Sequence, residues 1–211
     1  GVFAFAPFDC WPLAYISLLG LLWVAKQTQK SVAFIGAFVW SMGFFCFGVS
    51  WLNVSIHQFG GASLIVSYLL VGLLSAYLSL YPLLFVYLIR RFRIRSAVIF
   101  AVCWTITEFF RGWLFTGFPW LQFGYTQLDS PFSGLAPLFG VTGLTFFTVW
   151  EAATLYNLLM ALRKKQSNVV GFSLLLLLVI GGLSAYSERF HFVAKEQDKA
   201  LKITLAQGNI E

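Results

Sequence analysis

Charge is scarce in this sequence. Eight acidic and fourteen basic side chains make up 10% of the 211 positions, against roughly 25% in a soluble globular domain. Hydrophobic residues make up 59%, so a water-soluble fold would lack the polar surface to cover itself. A polytopic membrane protein is the class that remains. Cysteine is equally sparse. Cys10, Cys46 and Cys103 form no C-x-x-C pair and keep no Cys/His spacing, which argues against both a disulfide framework and a zinc site. Cys46 and Cys103 lie in apolar runs and read as small buried hydrophobes. Cys10 follows Phe-Asp rather than a small-residue cleavage site, so it does not read as a lipid-modified cysteine. There is no G-x-S-x-G, no H-E-x-x-H, no P-loop and no Ser/His/Asp set, and no metal or cofactor is expected. From the residues alone, no catalytic centre is legible.

What is present is a series of apolar runs. Six hydrophobic spans cover roughly residues 11–25, 31–52, 62–89, 96–116, 133–162 and 169–186. A helix needs about 20 residues to cross the hydrocarbon. The first span is short by that measure, with Pro12 placed to open it. The third is long, which predicts tilt, and Pro82 inside it predicts a kink. Residues 1–8 open in an apolar stretch, GVFAFAPF, without a Met or a basic leader, and read as the tail of an earlier span.

The net charge of +6 is no sign of a nucleic-acid partner, because the basic residues sit in short clusters between apolar runs. Alternate loops hold Lys26 and Lys30, then Arg90, Arg91, Arg93 and Arg95, then Arg163, Lys164 and Lys165; the loops between them hold only Arg111. The positive-inside rule places the three basic loops in the cytoplasm and the other loops on the opposite side. Beyond residue 186 the character changes. SERFHFVAKEQDKA is polar and reads as a linker, and LKITLAQGNIE alternates as a strand does. A lone strand is not stable, so a second, soluble domain is expected to begin there on the outer side.

The densest group of rings and backbone breakers is TEFFRGWLFTGFPWLQFGYTQLDSP, residues 107–131. One reading is an aromatic belt at the membrane–water interface. The other is an amphipathic floor made of Trp113, Phe118, Trp120, Phe123 and Tyr125, with Gln122 and Gln127 as its polar groups, suited to a ligand with an apolar tail and a polar head. Glu108 and Arg111, at i and i+3, can pair on one helix face. They serve either as an ion pair orienting the helix or, with Glu108 holding Arg111, as a contact for a phosphate headgroup. His57, in WLNVSIHQFGG, reads as a polar loop residue beside the turn marked by Gly60 and Gly61. Glu151 lies inside the fifth span, where a carboxylate is costly; a functional acid and a hydrogen-bonded packing residue both remain open.

FAFAPFDCWPL, WLNVSIHQFGG, AYLSLYP, the 107–131 segment with GLAPLFGVTGL after it, and the closing ITLAQGNI together resemble, in that order, the bacterial apolipoprotein N-acyltransferase family. The resemblance covers nearly the whole chain and is most specific in RGW…TGFPWLQFGY. It implies an inner-membrane enzyme with eight spans and a periplasmic nitrilase-like domain inserted before the last. Such an enzyme takes an acyl chain from a phospholipid onto a cysteine as a thioester and passes it to the α-amino group of a lipoprotein's diacylated N-terminal cysteine. The family's Glu, Lys and Cys triad would lie beyond Glu211, so no catalytic residue is assigned within this chain. The expected layout is a transmembrane helical domain over 1–186, a periplasmic linker over 187–200 and the start of a truncated nitrilase-like domain over 201–211. Arg111, Trp120, Gln122 and Tyr125 are the candidates for the lipid approach. A transporter would show paired mid-membrane breaks or repeated halves, and neither is seen; a non-catalytic membrane anchor is the remaining alternative.

Overall fold

The structure, a computed structural model, describes residues 1–187 together with Arg189 and Thr204. The expected linker and the strand at 201–211 lie almost wholly outside these residues. Every one of the six apolar runs is a helix. They are α1 (Pro12–Ala25), α2 (Lys30–Gly48), α4 (Leu64–Arg91), α5 (Ala97–Arg111), α6 (Ala136–Arg163) and α7 (Ser167–Ser187), with the single turn α3 (Leu52–Val54) between α2 and α4. The runs 30–48, 64–91, 133–163 and 167–187 are long and apolar enough to cross a membrane. The described residues are therefore those of an all-helical, polytopic membrane protein. α1, at 14 residues, and α5, at 15, are shorter. The fourth span was expected to run to 116, but its helix stops at Arg111, because Gly112 and the turn after it leave the helical path.

Local chemistry explains the helix limits. Pro12 sits in the first turn of α1, where its missing N–H is no loss. The Ser63 hydroxyl caps α4 by accepting from the Val66 amide, as N-cap serines do. α4 passes through Pro82 as one continuous helix. The break falls instead in α6, at Gly140, whose φ of 62° and ψ of −172° belong to a region that glycine alone adopts without strain.

Five helices close into a ring: α1 packs on α2, α2 on α4, α4 on α5, α5 on α6, and α6 back on α1, while α7 lies outside against α6. Small residues line the seams, among them Ala33, Ala37 and Ser41 of α2, and Ser67, Ser75 and Ser79 of α4. Lipid offers no hydrophobic drive for helix association, so close backbone approach must supply it. The buried hydroxyls of Ser41, Ser75 and Ser79 each bond the carbonyl four residues back, at 2.7–2.8 Å, which satisfies these three groups within the seams. Outward-facing side chains such as Ile16, Ile35, Val39, Leu73 and Leu178 are more than 60% exposed, an apolar surface suited to hydrocarbon rather than water.

The basic loops meet at one end of the ring. The Arg90 guanidinium donates to the carbonyls of Ala25, Gln27 and Thr28. Lys26 donates to the Ile94 carbonyl, and the Asn157 amide donates to the Arg95 carbonyl at 3.2 Å. At the other end lie α3, the turn after it and the aromatic loop, where the rings of Trp51 and Trp120 come within 6.3 Å.

Candidate functional site: the aromatic loop and its buried ion pair

α5 is about 22 Å long at 1.5 Å per residue, shorter than the roughly 30 Å of hydrocarbon. The chain therefore leaves the helix before it has covered that thickness. Two neighbours place this depth. Phe115 meets the ring of Tyr77, in the middle of α4, at 6.1 Å. The Arg111 guanidinium lies 5.5 Å over the ring of Phe45, a turn before the end of α2. Irregular backbone at such depth is tolerated only where protein satisfies its polar groups.

Glu108 and Arg111 provide that satisfaction. Both are buried, at 5% and 3% exposure, with a 3.7 Å separation between Oε1 and Nη2. Arg111 Nη1 donates to the Phe118 carbonyl at 3.0 Å and also to the Trp120 carbonyl. The Phe118 amide returns a bond to the Arg111 carbonyl at 2.7 Å. Glu108 Oε1 accepts from the Phe123 amide at 3.1 Å and from Trp104 Nε1 at 3.2 Å. Glu108 Oε2 accepts from the Thr145 hydroxyl at 2.7 Å, and that hydroxyl accepts from the Gly124 amide at 2.8 Å. One ion pair thus holds the loop at four residues, Phe118, Trp120, Phe123 and Gly124. Beside it is a cavity of about 10 Å³ edged by Tyr81, Thr107, Glu108 and Arg111, near the volume one water needs.

The loop is tightly drawn. Phe115, Thr116 and Leu121 have φ of 53°, 72° and 62°, left-handed values that are uncommon for residues other than glycine. At Gly117, with φ of 79°, an added Cβ would lie 2.0 Å from the Gly112 carbonyl oxygen; at Gly124 it would lie 2.0 Å from that of Val141. Both positions need the backbone to come closer than any side chain permits.

The structure divides the residues expected to form one floor. Trp113 (69%), Phe115 (85%), Trp120 (52%) and Tyr125 (46%) are exposed and form the outer ridge. Phe123 is not part of it. Fully buried, it stacks on Phe44 at 5.5 Å and meets Trp104 at 5.6 Å. Gln122 and Gln127 are buried too, and Gln127 Nε2 donates to the Thr126 hydroxyl at 2.7 Å. Arg111 is not laid open to a headgroup; its guanidinium is turned inward onto loop carbonyls. Phe115 went unremarked in the sequence, where nothing separates it from its neighbours. Its left-handed backbone is what turns its ring outward.

The remaining candidates lie apart. Tyr15 on α1 donates to Glu151 Oε2 on α6 at 2.7 Å and lies 3.5 Å from Gln127 Oε1, so Glu151 is a hydrogen-bonded link across a helix seam. His57 is exposed, with Nδ1 2.7 Å from the Ala62 carbonyl oxygen. All three cysteines are free. Cys10 is exposed, while Cys46 and Cys103 are half-buried rather than enclosed. Among the described residues no cluster of His, Cys, Asp or Glu could hold a metal.

Residues 1–154 match the family described as apolipoprotein N-acyltransferase N-terminal domain. The chain belongs to this family. It is 70% identical over 212 residues to an apolipoprotein N-acyltransferase of Haemophilus influenzae, covering 100% of this chain and 41% of the relative. A second relative of that description, from Pasteurella multocida, is 61% identical over 100% of this chain and 41% of its own length. A third, from Vibrio cholerae, is 37% identical over 99% of this chain and 41% of its own length. The chain thus spans well under half the length of these relatives. The matched residues hold α1 to α5, the strapped aromatic loop and the larger part of α6.

Proposed function

We propose that this chain is the membrane part of an apolipoprotein N-acyltransferase of the bacterial inner membrane. In this reading the whole protein moves an acyl chain from a phospholipid to the α-amino group of the N-terminal diacylglyceryl-cysteine of lipoproteins. The observation that carries the reading is the 70% identity to the Haemophilus influenzae relative across the entire chain. The basic loops lie in the cytoplasm by the positive-inside rule, which puts the aromatic loop at the periplasmic face, beneath a nitrilase-like catalytic domain that begins near residue 201.

The membrane part then has a definite task. The exposed ridge presents Trp120 and Tyr125, rings that favour the level where acyl chain gives way to headgroup. Gln122 and Arg111 serve the lipid approach from below. Gln122 packs under the ridge, and Arg111 fixes the ridge's backbone. Rigid presentation of this kind keeps a donor lipid at the depth at which its ester can rise into a site above.

The test uses the full-length protein in vesicles of phosphatidylethanolamine with a labelled acyl chain, and a diacylated lipopeptide with a free N-terminal cysteine. The peptide should gain the mass of one acyl chain. Trp120→Ala combined with Tyr125→Ala should slow that transfer at least tenfold at unchanged protein level. No transfer by the unaltered protein would leave a non-catalytic anchor in place of the enzyme. Normal transfer by the double variant would remove the loop from the lipid path.

A further inference from the structure

The three basic loops hold nine cations and no carboxylate: Lys26, Lys30, Arg90, Arg91, Arg93, Arg95, Arg163, Lys164 and Lys165. Arg90 and Lys26 are spent on loop carbonyls. Arg163 is different. It is exposed at the end of α6, and among the described residues no carboxylate lies within ion-pair distance of it.

Arg163 also edges a cleft. The last two turns of α1 and of α6 part to leave about 310 Å³, lined by Leu19, Gly20, Trp23, Tyr156, Leu159, Met160 and Arg163. On α6 the spacing 156, 159, 160, 163 is one helix face, so the cation stands at the mouth of an otherwise apolar wall. The floor is open at Gly20, where an added Cβ would meet no atom within 4 Å. Trp23 and Leu159, on the two walls, are 54% and 42% exposed.

We propose that this cleft is a binding site for an anionic glycerophospholipid, with one acyl chain lying between α1 and α6 and the phosphate at Arg163. The walls demand a hydrocarbon chain. The mouth adds charge complementarity, since a lone guanidinium pairs bidentately with a phosphate and basic pockets between membrane helices select acidic headgroups. A zwitterionic lipid fills the walls equally well but gains little from an uncompensated cation surface. The site lies at the opposite end of the ring from the aromatic loop, and it stands whether or not the protein transfers acyl chains.

The experiment reads Trp23. The full-length protein is placed in vesicles holding increasing fractions of phosphatidylglycerol brominated on one acyl chain, or of phosphatidylcholine brominated in the same way. The Trp23→Phe variant is subtracted to isolate the Trp23 signal. Half-quenching should need about fivefold less brominated phosphatidylglycerol than phosphatidylcholine, the ratio that about 1 kcal/mol for one Arg at an acidic lipid gives. Arg163→Gln, an exposed change, should bring the two lipids to parity. Gly20→Leu should fill the floor and remove most quenching by either lipid. Equal quenching by both lipids in the unaltered protein would mean general solvation by lipid and overturn the proposal, as would a preference that survives Arg163→Gln. Should Gly20→Leu fail to fold, Arg163→Gln decides alone.

Discussion

Glu108 and Thr145 are bonded at 2.7 Å across the seam between α5 and α6, and the same threonine hydroxyl accepts the amide of Gly124. A helix, a neighbouring helix and the aromatic loop are thereby joined through one carboxylate. Arg111, one turn further along α5, completes the arrangement by holding the Phe118 carbonyl. Removing either charge strands the other in a water-poor interior, which costs about 3–5 kcal/mol. Glu108→Gln and Arg111→Met should each lower the thermal midpoint of the purified protein by well over 5 °C. The double variant should be less harmed than the sum of the two, a coupling that a double-mutant cycle reads directly. Additive losses would show that the two charges do not act as a pair.

Two glycines separate space from conformation. Gly124→Ala would drive a Cβ to 2.0 Å from the Val141 carbonyl oxygen, forcing the loop off its helix. Limited proteolysis should then cut within 112–135 at least tenfold faster. Gly72→Ala, in the helix α4 with no atom within 4 Å of the new carbon, should leave the protease pattern unchanged. It should raise stability by about 0.5–1 kcal/mol through the helix preference of alanine.

The Tyr15–Glu151 bond at 2.7 Å is a packing link by its geometry. Tyr15→Phe leaves the carboxyl without that donor and should destabilise by about 1–3 kcal/mol. Tyr15→Phe with Glu151→Leu should restore most of that, because both polar partners are then gone. Acyl transfer by the folded double variant should match the unaltered protein; a loss larger than tenfold at equal stability would make Glu151 a functional acid.

Sidedness is open to direct labelling. Cys10 is exposed ahead of α1, while Cys46 and Cys103 are half-buried on membrane helices. A membrane-impermeant maleimide should label Cys10 in intact spheroplasts. A cysteine placed at Lys164 in a Cys10→Ser background should react only after permeabilisation. The reverse pattern would invert the topology.

The helices were legible because lipid makes their signal one-dimensional. Run length and composition alone located all six, and Pro12 marked its helix start. The end of α5 was not legible. Phe109, Phe110, Trp113, Leu114 and Phe115 continue the apolar run, and only the strap from Arg111 to the Phe118 carbonyl shows that the chain has already turned. The same limit applies to Pro82 and Gly140. Proline is the stronger breaker by type, yet the break falls at the glycine, because position in the packed ring decides it. Spacing placed Glu108 beside Arg111 correctly, but not what they hold, since their partners are backbone groups 7 to 15 residues onward. Phe123 read like the other rings; that it stacks on Phe44 rather than facing lipid is a tertiary fact.

The shortness of α5 also acts on its surroundings. A 15-residue helix falls roughly 8 Å short of the hydrocarbon thickness, and a bilayer answers such mismatch by thinning beside it. The lipids along α5 are therefore drawn into a shallow dimple under the aromatic ridge. A lipid headgroup in that dimple lies nearer the bilayer midplane than its neighbours do.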